Sequence, residues 1–217
     1  MTAEKLLLLS DIHYPTGRSR EVFSILRKER PDIVALLGDV VAASKEALVD
    51  YYRSFFDSYA FPLESTVLVL GDNDFGTSPG FRNFIDGLNT LATSYVFVRY
   101  GNLFLTHGNI EGRGVLSPFL EGAGGYLAKM LRPIAPSLLS SAVRLRYSVR
   151  DGEYLFLGHI HYLGKVSSTN SVFCGTFSTE KIVYPPELSL GYVTAELTRS
   201  RVSGPGAVFL HHLTPVL

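Results

Sequence analysis

The feature that most constrains this chain is a repeated ending. Short apolar runs of strand length break off, one after another, into acidic or imidazole residues beside glycine. Residues 6–9 lead into Ser10-Asp11-Ile12-His13, residues 33–37 into Gly38-Asp39, and residues 66–70 into Gly71-Asp72-Asn73-Asp74. Continuous apolar runs of this length suit strands buried on both faces. Between them, residues 18–30 carry Val22, Phe23, Ile25 and Leu26 at helical spacing up to Pro31, and Ser44 is placed to cap a second helix running to about residue 60. Alternation of strand and helix defines an α/β chain. In sheets of that kind ligands bind beyond the carboxyl ends of the strands, which is where the polar clusters fall.

After an expected helix over residues 80–91 the pattern changes to paired strands. Residues 95–100 and 103–106, joined at Gly101-Asn102, read as a hairpin that ends at His107. Later segments at 154–157, 162–166, 171–174, 188–197 and 207–212 read as a mostly antiparallel sheet, the first of them ending in Gly158-His159-Ile160-His161. Four of the six histidines therefore stand at strand ends, while His211 and His212 lack such neighbours and are given no role. Asp11, His13, Asp39, Asp72 or Asn73, His107, His159 and His161 collect on one rim. Mixed carboxylate and imidazole donors suit transition metals better than calcium. Seven candidates exceed the needs of one tetrahedral ion and suffice for two ions sharing a carboxylate, an arrangement that clamps a phosphoryl group.

With 217 residues, 46% of them apolar and 18% charged, the chain reads as a single domain, 1–217, with spare length for an insertion. The lone Cys174 excludes a disulfide scaffold and is expected as a small buried apolar residue. Twenty basic residues against twenty acidic ones argue against duplex nucleic acid as a partner. No apolar run approaches the ~18 residues of a membrane helix, the N-terminal run is too short for a signal peptide, and the expected compartment is the cytoplasm. Residues 112–150 stand apart: they open with glycines, turn helical, are interrupted at Pro133 and Pro136, and hold six basic residues against Glu121 alone. They read as an inserted helical cap. It is either a pair of helices with a solvated basic face or a lid whose Arg113, Arg144 and Arg146 bind a second phosphate or an anionic leaving group. Tyr126, Leu127, Met130, Leu131, Leu138 and Leu139 interleave with those charges, which adds the expectation of a lipid-facing surface.

In order and spacing, Asp11-Ile12-His13, Gly38-Asp39, Gly71-Asp72-Asn73-Asp74, His107-Gly108 and Gly158-His159-Ile160-His161 resemble the motifs of the calcineurin-like metallophosphoesterases. Length, and the tail from Cys174 to Ser178, are most similar to the small bacterial and archaeal phosphodiesterases. The resemblance implies a four-layer αββα sandwich of two mixed sheets. It also implies two divalent transition-metal ions, manganese foremost with iron, zinc, nickel or cobalt as alternatives. Asp11, His13 and His161 would hold the first ion, Asp39 would bridge, and Asp72, His107 and His159 would hold the second. Asp39, Asn73 and His107 are the positions it assigns to catalysis, a metal-bound hydroxide attacking a phosphodiester or pyrophosphate of a small-molecule or nucleotide substrate. One departure matters. The family's Gly-Asn-His is here Gly71-Asp72-Asn73, so a carboxylate replaces the metal-binding amide and an amide replaces the histidine that protonates the leaving group, unless Asn73 itself takes the ligand role. A non-catalytic metal-binding scaffold of the same fold and a nuclease are the competing readings.

Overall fold

The computed structural model describes residues 4–59, 61–74, 79–108, 132–180, 184–197, 205 and 207–213. In the first sheet β1 (Glu4–Leu9), β2 (Ile33–Leu37), β3 (Thr66–Val69) and β4 (Ala92–Ser94) lie parallel in that order. The second sheet has the order β5 (Phe97–Tyr100), β6 (Leu103–Thr106), β7 (Tyr154–Leu157), β9 (Ser171–Cys174), β8 (Leu163–Val166). Strands β6, β7 and β9 are parallel there, with β5 and β8 antiparallel at the edges.

The later strands do not form the mostly antiparallel sheet expected from their spacing. β10 (Gly191–Leu197) and β11 (Val208–His212) cross to the first sheet, where β10 pairs antiparallel with β1 and β11 with β10. The reason is burial on two faces: Leu155 to Leu157 and all of β9 are enclosed, a condition met by parallel strands covered from both sides.

Side-chain alternation within β1 and β2 divides the interior. Leu7, Leu9, Val34 and Leu36 point outward to helices α1 (Glu21–Glu29), α2 (Leu48–Tyr59) and α3 (Pro79–Asp86), meeting Val22, Ile25, Tyr52, Phe55 and Phe81. Leu6, Leu8, Ala35 and Leu37 point inward to Leu103, Leu105, Phe156 and Val172 of the second sheet. On that sheet's far side Phe104, Leu155, Leu157 and Phe173 pack against Leu139 and Val143 of α4 (Ala135–Arg146). The result is the expected four-layer sandwich. Truncating an enclosed aromatic such as Phe55 or Phe81 to Ala would cost about 3–5 kcal/mol.

Helix limits differ from the expected ones by local chemistry. α1 closes at Arg30, whose left-handed backbone (φ 46°) lets its N–H reach Leu26 O at 2.9 Å, one residue before Pro31. Ser44 accepts from Ala47 N–H in a turn, so α2 starts only at Leu48. Pro136 lies in the first turn of α4, a position that needs no N–H donor, and so begins that helix rather than interrupting it. Of the segment expected as a cap, residues 132–150 are described, and α4 is the outer layer on the second sheet. The flagged positions from Gly112 to Leu131, Arg113, Glu121, Tyr126, Leu127, Lys129 and Met130 among them, lie outside the described residues.

Candidate metal centre

Because β1, β2 and β3 are parallel, Asp11, His13, Asp39 and Asp72 emerge at one end of the first sheet. Parallel β6 and β7 bring His107, His159 and His161 out beside them from the second. The chain turns sharply at these exits. Asp11 (φ 50°), His13 (52°), Asp39 (51°), His159 (72°) and His161 (51°) are all left-handed, five of the eight described non-glycine residues in that region. Each such residue costs about 1–2 kcal/mol, and Asp and His tolerate the region better than branched residues do. The left-handed residues are thus concentrated on the candidate ligands. Backbone bonds hold the turns in place: Asp11 N–H donates to Gly38 O at 3.1 Å, His13 N–H to Asp39 O at 3.0 Å, and Gly158 N–H to His107 O at 3.1 Å.

The side chains form two donor groups. In the first, Nε2 of His161 lies 3.3 Å from Asp11 Oδ1 and 3.4 Å from His13 Nε2. In the second, Asp72 Oδ1 lies 3.1 Å from His107 Nε2 and 3.3 Å from His159 Nδ1. Asp39 stands between them, with Oδ2 4.0 Å from His13 Nε2 and Oδ1 3.6 Å from His107 Nε2. Three triads, Asp11/His13/His161, Asp72/His107/His159 and Asp11/Asp39/His107, each have donor atoms within 4.8 Å of one another. The expected site residues are thus brought together.

Two details fit a cation. Asp11 Oδ1 is fully buried without a hydrogen bond, while Oδ2 accepts from Ser10 Oγ and from His159 N–H at 3.0 Å, so one oxygen is anchored and the other faces the imidazoles. His107 donates Nδ1–H to Leu37 O at 2.7 Å, which fixes the tautomer and turns Nε2 toward the site. Burial pulls the His107 imidazole down, yet facing Asp39 and Asp11 raise it well above the usual range. His161 is likewise raised: Asp11 outweighs burial. The carboxyls of Asp11 and Asp72 fall below theirs, the histidines outweighing a burial that acts the other way.

Glycines at the exits are required by close approach. A Cβ on Gly71 would lie 2.2 Å from Asp39 Oδ1, and one on Gly158 would lie 1.7 Å from Ser10 Oγ and 2.6 Å from Asp11 Oδ2. Asn73 turns toward Asp39: its N–H donates to Oδ1 at 3.0 Å and its Nδ2 to Oδ2.

Asp74 closes the Gly71-Asp72-Asn73-Asp74 cluster, and the sequence gives it no role of its own. It is fully buried and accepts from Gly71 N–H at 2.9 Å and Val40 N–H at 3.2 Å, tying the loop after β3 to the loop after β2. Burial first, then the neighbouring Asp39, pushes its carboxyl up to about 7. The sequence signal was present, an acid two residues beyond a ligand, but its inward direction was not.

Other flagged residues have structural tasks. Arg144 donates to Glu153 O at 3.1 Å and Arg150 O at 2.7 Å, clasping the end of α4 to the start of β7. Cys174 is enclosed and burial raises its thiol far above the usual range. His211 stacks on Tyr192 at 4.6 Å and pairs with Thr194 Oγ1 at 2.8 Å. Among the described residues no helix is long and apolar enough to cross a membrane.

A four-layer α/β sandwich with carboxylates and histidines gathered at the strand ends defines a metal-binding phosphoesterase architecture. The sequence model of the calcineurin-like phosphoesterases matches residues 4–163, and the chain belongs to that family. Among solved structures it is similar to the phosphoesterase YfcE from E. coli, at 16% identity over 96% of this chain and 100% of that one, with a TM-score of 0.48. It is also similar to an archaeal phosphodiesterase (14%, 95% and 99%, 0.48) and to a dimetal phosphatase from Danio rerio (14%, 99% and 100%, 0.47). No curated protein matches the chain.

Proposed function

We propose that the chain hydrolyses phosphodiester or pyrophosphate bonds with two divalent metal ions, one held by Asp11, His13 and His161, the other by Asp72, His107 and His159, with Asp39 shared. The observation that carries this reading is the orientation of Asp39, whose two oxygens face opposite histidines, 4.0 Å from His13 and 3.6 Å from His107. The ions, when bound, supply Lewis acidity and an activated water.

The chain's own residues supply position and charge. Asn73 fixes the Asp39 rotamer from both its main-chain and side-chain nitrogens. Ser10 and the His159 amide fix Asp11. Three carboxylates, Asp11, Asp39 and Asp72, offset most of the charge of two divalent cations, and the small positive remainder matches a diester monoanion better than a monoester dianion. An amide at position 73 is too weak an acid to protonate a departing oxygen, so substrates whose leaving groups are stable as anions, a phosphate or an aryloxide, are favoured.

Metal analysis of the purified protein, followed by assay of bis(p-nitrophenyl) phosphate, p-nitrophenyl phosphate, nucleotide pyrophosphates and cyclic nucleotides with manganese, tests this directly. Two metal equivalents and a preference for diester over monoester are expected, and Asp39→Ala should lose both. Normal metal content and rate in Asp39→Ala would overturn the assignment.

A further inference from the structure

Helix α4 is apolar on two opposite sides. Its inner side, with Leu139 and Val143, is enclosed against the second sheet. Its outer side leaves Ile134 50%, Leu138 45% and Leu145 85% exposed. These positions follow one another at intervals of four and seven residues, with Ser141 between, and so form a single stripe about 16 Å long. The outer stripe is a surface without a described partner.

The charge beside the stripe selects what covers it. Residues 132–150 hold Arg132, Arg144, Arg146 and Arg150 and no Asp or Glu, and of the two acids that follow, Asp151 is exposed and Glu153 is buried and paired with Arg99, so the end of the helix keeps an excess of positive charge. Arg146 and Arg150 are exposed at the C-terminal end of the stripe, and Arg132 lies at its start. Pairing with the same helix of a second copy, parallel or antiparallel, would set arginines against arginines. An anionic lipid surface complements both features, taking the leucines between its headgroups and the guanidinium groups against its phosphates.

We propose that the outer face of α4 is a docking surface for anionic membrane lipid, through Ile134, Leu138 and Leu145 with Arg146 and Arg150 at their side. On its inner side the same helix reaches the catalytic rim, since Leu139 Cδ2 would lie 3.8 Å from a Cβ on Gly108, the residue after His107. Docking therefore brings the candidate centre close to the bilayer surface. The inference does not depend on the metal assignment.

Co-sedimentation of the full chain with vesicles tests it, using phosphatidylcholine alone and an equimolar mixture with phosphatidylglycerol. The wild-type chain should bind the mixed vesicles, bind phosphatidylcholine alone weakly, and lose binding as salt is raised. Leu138→Glu with Leu145→Glu should reduce binding at least about tenfold with little change in the thermal midpoint, because Leu145 is mostly and Leu138 about half exposed. Arg146→Glu with Arg150→Glu should reduce it on the mixed vesicles. No binding to mixed vesicles at low salt would overturn the proposal. So would binding indifferent to the leucine substitutions, or a wild-type dimer in solution that Leu145→Glu dissolves.

Discussion

Oδ1 of Asp72 lies 3.1 Å from Nε2 of His107, although the two residues leave different sheets. Its neighbour Asn73 turns the other way, toward Asp39. The expected consequence is a division of roles. Asp72→Ala should lose one metal equivalent, whereas Asn73→Ala should keep both and lower turnover about 10–100-fold by freeing the Asp39 rotamer. Elemental analysis alongside initial rates decides it, and the opposite pattern would put the ligand at position 73.

Rate should depend strongly on the leaving group. A series of diesters running from nitrophenyl to alkyl leaving groups should fall steeply in kcat as leaving-group pKa rises, because position 73 offers no acid. A flat series with chemistry rate-limiting would assign the proton to another residue.

Gly158→Ala should injure the centre without replacing a ligand. The added methyl would overlap Ser10 Oγ and press on Asp11 Oδ2, with a cost of about 1–3 kcal/mol in stability and weaker metal retention. Gly80→Ala, in the first turn of α3 with nothing within 4 Å, is the matched control and should be neutral or stabilising by about 0.5 kcal/mol. Thermal unfolding and metal content on both variants provide the comparison.

Asp74→Ala should destabilise by about 2–4 kcal/mol, since it leaves the Gly71 and Val40 amides buried without an acceptor. Asp74→Asn keeps one acceptor oxygen and should recover part of the loss. Manganese affinity measured by calorimetry should fall in the same order, because those amides flank Asp72 and Asp39.

Acid stability should depend on Glu29 at the opposite end of the first sheet. Burial alone would raise its carboxyl, but Lys5 Nζ at 2.6 Å and Tyr192 Oη at 2.6 Å bring it down to about 2. A depressed carboxyl contributes its full stability above the ordinary value of 4.5 and loses it as pH falls toward 2. With Lys5 36% exposed, solvent screening leaves a contribution of about 1–2 kcal/mol. Glu29→Gln should lower the thermal midpoint at pH 7 and flatten its fall between pH 4.5 and 2.

The candidate ligands were legible along the chain because they follow apolar runs, and four of the seven, Asp39, Asp72, His107 and His159, sit next to a glycine. Gly71 and Gly158 are glycine for the sake of Asp39 and Asp11, and that adjacency survives in one dimension. Continuous apolar runs likewise announced β1 to β3, but not which layer each side chain would face. They could not say which sheet receives β10 and β11, because a strand's pattern records that its faces are covered and not by what. Nor could they separate Arg144, which donates to two carbonyls, from Arg150, exposed beyond the end of α4. The directions of Asp72, Asn73 and Asp74 within one turn were decided only by tertiary structure, since successive side chains in a tight loop point wherever backbone dihedrals and the neighbouring sheet allow.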